Sequence, residues 1–455
     1  MRKIILLICA VLCVSVPSFV EAADAPIELD VCKVSEMAAN RSLVVGAAKQ
    51  DVETARQALN EAKGYQHGKA GIVAEYVRLN DTISISSPPV TIPSEVPVLG
   101  GKSLSVPPVE VAPQNLVHLK LQAGYPIYTS GMLSHAANQA EAGVKAYEEL
   151  MGDATDTVVF DASSIFLNAL LTAQVTTVNE QALESYGRHL DEAQKAYKAG
   201  VVAEYDVIRA RTAVKEQEKR LTEARNQHEL ALAALRTALL LPQDASLDLK
   251  GDLCEVTEST ALPQAQEKAM GQNDLLKALE HKAAAQQEAE KFEKAGKKPQ
   301  VTAVSEAELL TGNIAQTDPG WFVGVMATMD IFDGGVIKAR AAQKASERMR
   351  TLLDRKEAQN QIKLAIQSSY LDLDSSRSAL EFSKQAKTLA QESLRLANKR
   401  FEVGAGTSLE VLDANVALSS AEVGEAYSLY QIDRAYLKLH RYIGDIMEVC
   451  KELRR

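Results

Sequence analysis

Proline is missing from two long tracts of this chain: none lies between Pro126 and Pro242, and none follows Pro319. Glycine is absent as well from Val336 to Val403, a run of 68 residues. Without either helix breaker, such a run reads as one helix of roughly 100 Å at ~1.5 Å per residue. Globular helices average about 11–12 residues, which excludes a compact core for these tracts. Basic charge is also short. Fifty Lys and Arg stand against 60 Asp and Glu, a net charge of −10, and the pI near 5.4 excludes the basic stripe that nucleic acid requires. Seven scattered histidines, with no nucleotide loop, no serine–histidine–acid order and no paired histidines, give no catalytic site. No enzyme, cofactor or metal is expected.

Long apolar runs are confined to the N-terminus. Arg2 and Lys3, the stretch Ile4–Val14 and the small-residue step at Val20-Glu21-Ala22 read as a signal peptide over 1–22, so the mature chain leaves the cytoplasm. No other segment approaches the ~18 consecutive apolar residues of a spanning helix. If the protein enters a membrane, it does so by strands. Of five cysteines, Cys9 and Cys13 leave with the signal, and Cys32, Cys254 and Cys450 remain. Cys32 and Cys254 sit in similar surroundings, Asp30-Val31-Cys32 and Asp252-Leu253-Cys254, each just before a helix. One disulfide among the three is expected in an oxidising compartment, its pairing open.

What the chain does have is a duplication. Pro126-Ile127-Tyr128-Thr129-Ser130-Gly131 matches Asp330-Ile331-Phe332-Asp333-Gly334-Gly335 at an offset of 331 − 127 = 204. Tyr197-Lys198-Ala199-Gly200 with Asp206-Val207-Ile208 matches Phe401-Glu402-Val403-Gly404 with Glu410-Val411-Leu412 at the same offset. No net insertion therefore separates the anchors, and a long helix of fixed length occurs twice. Apolar residues from Ala341 through Ile362, Leu373, Phe382 and Ala390 to Phe401 recur mostly at spacings of three or four. That pattern predicts one buried seam and a wide wet face.

Before each long helix the period changes from 3.6 to two. Trp321, Val323, Val325, Ala327 and Met329 alternate with Phe322, Gly324, Met326, Thr328 and Asp330, and Val117, Leu119, Leu121 and Ala123 alternate with His118, Lys120, Gln122 and Gly124. Strands of about ten residues with one apolar face suit a membrane barrel. Weaker partner strands are expected near 72–83 and 300–310, with Glu306 and Glu308 facing the lumen. Four strands cannot close a barrel, so a shared barrel is implied. Repeat one carries 28 extra residues around 86–113, where seven of the fourteen prolines fall. They predict an extended, partly polyproline loop.

The duplicated strand-to-helix junction and the duplicated turn, Tyr197-Lys198-Ala199-Gly200 and Arg400-Phe401-Glu402-Val403-Gly404 with Ser408-Leu409-Glu410-Val411-Leu412-Asp413-Ala414, resemble the TolC-like outer-membrane efflux proteins over nearly the whole mature chain. The fold class implied is mainly α with a small transmembrane β part: duplicated long helical hairpins forming an α-barrel tunnel, and four β-strands per chain in a shared twelve-stranded barrel. The first repeat would cover 23–242 (strands near 72–83 and 114–124, long helix 131–198, tip 199–206, return helix 207–241). The second would cover 243–455 (strands near 300–310 and 321–331, long helix 335–402, tip 403–408, return helix 409–444). The resemblance implies a homotrimer in the outer membrane of a Gram-negative bacterium, in contact with its lipid. A periplasmic adaptor and an inner-membrane transporter would be its partners, in efflux or type I secretion of a cargo the sequence does not name.

The same resemblance implies an acidic periplasmic entrance at Asp206, Glu410 and Asp413, and adaptor docking on Gly200-Val201-Val202-Ala203 and Gly404-Ala405-Gly406-Thr407-Ser408. Acidic residues opening a helix also suit its dipole, with Ser408 as N-cap, and a glycine at each tip also serves as a helix C-cap. Well-studied members of the family lock the tip with a tyrosine and an arginine that reach the aspartate matching Asp206; here those positions are Phe401 and Gly406. A tip closed by packing and carboxylate repulsion, or resting more open, is expected, and tyrosine at 401 with arginine at 406 would tighten it. The rival reading is a periplasmic or surface coiled-coil structural protein without a pore.

Overall fold

The computed structural model describes residues 26–98, 100–112, 114–256, 258, 260–310 and 320–452; the signal peptide expected over 1–22 lies outside them. The first half runs β1 (Ile27–Leu29), α1 (Val31–Arg41), α2 (Leu43–Gly64), β2 (Lys69–Arg78), β3 (Ile83–Ile85), β4 (Val90–Thr91), β5 (Ser103–Leu104), β6 (Val109–Ala112), β7 (Asn115–Tyr128), α3 (Met132–Lys198) and α4 (Glu204–Ala238). The second runs β8 (Leu247–Leu249), α5 (Leu262–Gln272), α6 (Asp274–Ala295), β9 (Gln300–Leu310), β10 (Trp321–Thr328), α7 (Val336–Glu402), α8 (Ser408–Ile443) and α9 (Ile446–Glu452). The two long helices, α3 and α7, are 67 residues each.

Several bounds differ from expectation for local reasons. The strand expected over 72–83 is β2 at 69–78, because the chain turns at Asp81, whose carboxylate takes the Thr82 amide at 2.8 Å. The strand expected over 321–331 stops at Thr328, and beyond it Asp333 accepts the amides of Gly335 and Ile337 (3.0 and 2.8 Å) to start α7. The return helices begin earlier than expected, at Glu204 and Ser408, and end at Ala238 and Ile443. The proline-rich stretch is a protruding ribbon, not a polyproline coil: β3 pairs with β6 and β4 with β5, nested beyond the β2–β7 pair.

β2, β7, β9 and β10 form one antiparallel sheet in the order β10-β9-β7-β2. Residues opposite one another in a ladder share a face. The pairs Ile72–Leu121, Leu121–Ala307 and Trp321–Ala307 thus place Trp321, Val323, Val325, Val301, Ala303, Leu119 and Ala74 on one apolar face. Glu75, His118, Lys120, Gln122, Glu306 and Glu308 fall on the other. There His118 Nδ1 meets Glu308 at 2.7 Å and Lys120 meets Glu306 at 3.2 Å. Apolar outside and charged inside is the pattern of a barrel wall around a wet lumen. Among the described residues, both edge strands, β10 and β2, have one partner each.

The core lies where the helices meet midway. One cluster joins Leu29, Val34, Phe166, Leu235 and Leu239; another joins Leu276, Ile366, Leu373, Ile432 and Leu439. One window of α3 is apolar enough on average to cross a membrane, though polar residues interrupt it. It belongs to a helix whose Val159, Phe166, Leu167 and Ala169 are buried against neighbouring elements. No disulfide joins Cys32, Cys254 and Cys450; all three are thiols, which corrects the expected bridge. Cys32 lies inside α1, not before it, where its charge acts on Cys450, and Cys254 hydrogen-bonds the Asp252 carbonyl at 3.1 Å in the linker between repeats.

The seam of α7 also differs from the predicted stripe. Beyond Ala341 and Thr351, the buried positions from Ile362 onward are Ile362, Ile366, Ser369, Leu373, Leu380, Ser383, Ala390, Ala397 and Phe401. From Ile362 onward every step is three, four or seven. Phe382, placed in the seam by spacing, is 73% exposed. It joins a second stripe, Leu353, Leu364, Leu371, Phe382, Leu389 and Leu396, between 48% and 73% exposed. Steps of 7 and 11 keep this stripe on one face, opposite Ile362, Leu373 and Leu380. The face predicted to be wet is apolar.

Candidate functional site

Both hairpins turn at the same end of the molecule, α3 into α4 and α7 into α8. Each turn is built by the same backbone device. Gly200 and Gly404 have φ of 75° and 72°, a conformation that costs other residues about 1–2 kcal/mol. Val201 N–H reaches the Ala196 carbonyl at 2.9 Å and Gly200 N–H that of Tyr197 at 2.9 Å; Ala405 reaches Arg400 at 2.8 Å and Gly404 reaches Phe401 at 3.0 Å. These paired bonds satisfy the last carbonyls of each long helix.

The returning helices start differently. Asp206 Oδ2 accepts the Ala203 amide at 3.3 Å and so caps α4. Thr407, not Ser408, caps α8 by accepting the Glu410 amide at 3.3 Å. Ser408 is the first residue of α8 and only 1% exposed. Its Oγ lies 2.7 Å from Nε2 of His189 on α3. Phe401 packs edge-on to that imidazole, with ring centroids 4.8 Å apart. Burial pushes His189 down to about 4, against the opposing pull of Asp206. Around them Ala193, Val207, Ala210, Ala397, Phe401, Val411 and Ala414 form an apolar plug between the two hairpins.

The three acidic residues expected at an entrance are at this end but play unequal parts. Asp206 is half-buried in its cap, whereas Glu410 and Asp413 are exposed on the first turns of α8. Glu410 faces Arg400 Nε at 3.5 Å, and Arg400 also donates to the Ala405 carbonyl at 3.1 Å. Asp413 therefore carries more of the unneutralised charge. Tyr186, buried near Asp413, has its hydroxyl pKa pushed up by burial, with Glu216 and Asp413 adding to the rise and Arg220 opposing it.

Of the expected docking residues, Val201, Ala203, Gly404, Ala405 and Thr407 are exposed, Val202 and Gly406 are half-buried, and Ser408 is covered. Val201, Val403 and Leu409 offer apolar surface. Gly406 is constrained: a Cβ there would lie 2.9 Å from Arg400 Cβ. An arginine at 406 thus cannot enter without moving the turn, and the ring at 401 is already enclosed. Sequence reasoning missed His189 and Arg400. For Arg400 the signal was its place six residues before Gly406; for His189 there was only a lone histidine on a long helix.

The sequence pattern of the outer membrane efflux protein family matches residues 110–239 and 266–445. Outer membrane protein TolC of Escherichia coli (strain K12) is 22% identical over 315 residues, 64% of this chain and 62% of TolC; the chain thus spans less than two thirds of that relative. The crystal structure of VceC from Vibrio cholerae superposes with a TM-score of 0.73 at 15% identity, covering 91% of this chain and 96% of VceC. The MtrE outer membrane channel of Neisseria gonorrhoeae, in its open state, gives 0.73 at 15% identity, over 92% and 89%. These two likenesses establish the fold: an α-barrel part with a β-barrel part. The extended matches on both repeats and the duplicated architecture make the chain a member of the outer membrane efflux protein family, an outer-membrane protein with a long helical periplasmic extension.

Proposed function

We propose that the protein is the outer-membrane channel of a tripartite efflux or type I secretion system. Three copies would close a twelve-stranded barrel and a twelve-helix tunnel that passively conducts substrates from an inner-membrane transporter and a periplasmic adaptor to the exterior. The observation that carries this reading is the pair of apolar stripes on opposite faces of α7. A helix in a closed ring needs a neighbour on each side; within the chain α7 packs on α6 and α8, and its second stripe stays uncovered among the described residues. The two open sheet edges repeat the argument in the membrane, since an unpaired edge in lipid leaves backbone groups unsatisfied. TolC, described as an outer membrane protein, and MtrE, described as an outer membrane channel, agree with it.

The adaptor would dock on the tips at 200–203 and 404–407, where Val201 and Thr407 are exposed. Glu410 and Asp413, threefold repeated, would make the entrance a focus of negative potential that favours cations. Recording single-channel currents from the mature protein in a planar bilayer tests the reading, with wild type beside Glu410→Ala/Asp413→Ala. Cation-selective openings that lose selectivity in the double variant are expected. A folded protein that neither forms trimers nor inserts would return a pore-free coiled-coil scaffold to first place.

A further inference from the structure

His189 and Ser408 are 219 residues apart and meet where the first repeat touches the second at the tip. Both are 1% exposed. Nδ1 of His189 is buried and has no hydrogen-bond partner among the described residues. A neutral imidazole suits this pocket, with Nε2–H donating to Ser408 Oγ and a bare lone pair on Nδ1. An imidazolium does not: its second N–H would point into apolar packing with no acceptor, and its charge would be desolvated. The charged side chains at this level include Asp206 on α4, Glu410 and Asp413 on α8, Arg400 and Glu402 on α7, and Arg188, Asp191, Glu192 and Lys195 on α3 itself. Of these, Asp206 is the one whose charge acts on the ring.

We propose that the His189–Ser408 hydrogen bond is the latch between the two hairpin tips of each protomer, and that protonating His189 releases it, so that acid opens the tunnel entrance. This rests on the reading of the tips as that entrance. A latched His189 takes a proton only near pH 4, whereas a released one does so at its ordinary 6.5. Acid therefore favours the released state, which binds the proton more tightly, by roughly twentyfold per protomer at pH 5 relative to neutral pH. Asp206 moderates the effect without reversing it.

Two readouts test the latch on the purified full-length mature protein. In the bilayer, wild-type open probability should rise as the tip side goes from pH 7.5 to 5. His189→Gln, which can still bond Ser408 but cannot titrate, should lose that rise, and Ser408→Ala should open more than wild type at pH 7.5. Hydrogen exchange of residues 401–414 reads the same event without current. Acid should increase exchange there in wild type, beyond the intrinsic pH effect, and not in His189→Gln. An equal acid response in His189→Gln by either readout overturns the proposal, as does unchanged exchange and opening in Ser408→Ala. If no variant carries current at any pH, the channel reading fails, while the exchange comparison still decides the latch.

Discussion

His440→Ala should loosen the junction between the repeats by about 3 kcal/mol, and the effect should depend on pH in a way the geometry dictates. His440 is buried on α8, with Nε2 at 3.0 Å from Glu258 and Nδ1 at 2.7 Å from Asp445. Tyr436 packs edge-on to the ring at 4.6 Å. Glu258 also accepts the Thr260 amide at 2.6 Å, so the imidazole ties the linker between repeats to the end of α8. Although burial opposes it, bonding to the two carboxylates raises His440 to about 9. Glu258 is held down at about 2, against burial, by its bonds to His440 and Thr260. The two shifts describe one interaction and are counted once. The rise from 6.5 to about 9 corresponds to roughly 3 kcal/mol, in line with the ~3–5 kcal/mol of a broken buried pair.

The pH window follows from the two directions. His440, raised, contributes fully below about 6.5 and is lost as pH climbs through 9; Glu258, lowered, contributes fully above about 4.5 and is lost as pH falls through 2. The tie is strongest between about 4.5 and 6.5. Because a membrane protein of this length need not unfold in two states, the suitable assay is the hydrogen-exchange protection factor of residues 254–262, a measure of local opening. At pH 6 the variant should lose roughly a hundredfold in protection, and wild type should lose a similar factor between pH 6.5 and 9. Equal protection in variant and wild type at pH 6, or a flat wild-type profile to pH 9, would refute the reasoning.

Two further outcomes test the packing. Leu371→Glu/Leu389→Glu places charge on the exposed stripe of α7; with about 1.5–3 kcal/mol of burial lost per leucine, it should yield monomers by size-exclusion chromatography and light scattering, and persistent trimers would deny that face a role in assembly. A thiol titration should find all three mature cysteines reactive in denaturant without reductant. In the native state the half-exposed Cys254 should react first, while Cys450, whose thiol burial pushes up, and the buried Cys32 react slowly; fewer than three thiols in denaturant would reinstate a bridge.

Much of this molecule is local in origin and therefore legible in the chain. The lengths of α3 and α7 follow from the absence of proline, joined in α7 by the absence of glycine, the turns at Gly200 and Gly404 from a backbone conformation that other residues resist, and the two faces of β7 and β10 from alternation. Each depends on neighbours a few residues away. The Pro-rich stretch was misread because proline density signals an extended chain but not which extended segments pair, and β3–β6 and β4–β5 are pairings across a loop.

What only the tertiary structure decided is which distant groups meet. Nothing in the spacing of His189 and Ser408, or of His440 and Glu258, marks them as partners, since those contacts depend on how long helices cross and where a linker returns. The same holds for α7, where periodicity reveals that apolar residues share a face but not whether the chain covers it. Leu373 and Leu371 are two residues apart on the same helix. One is sealed within the chain and the other left exposed, because packing, not composition, decides which face is covered.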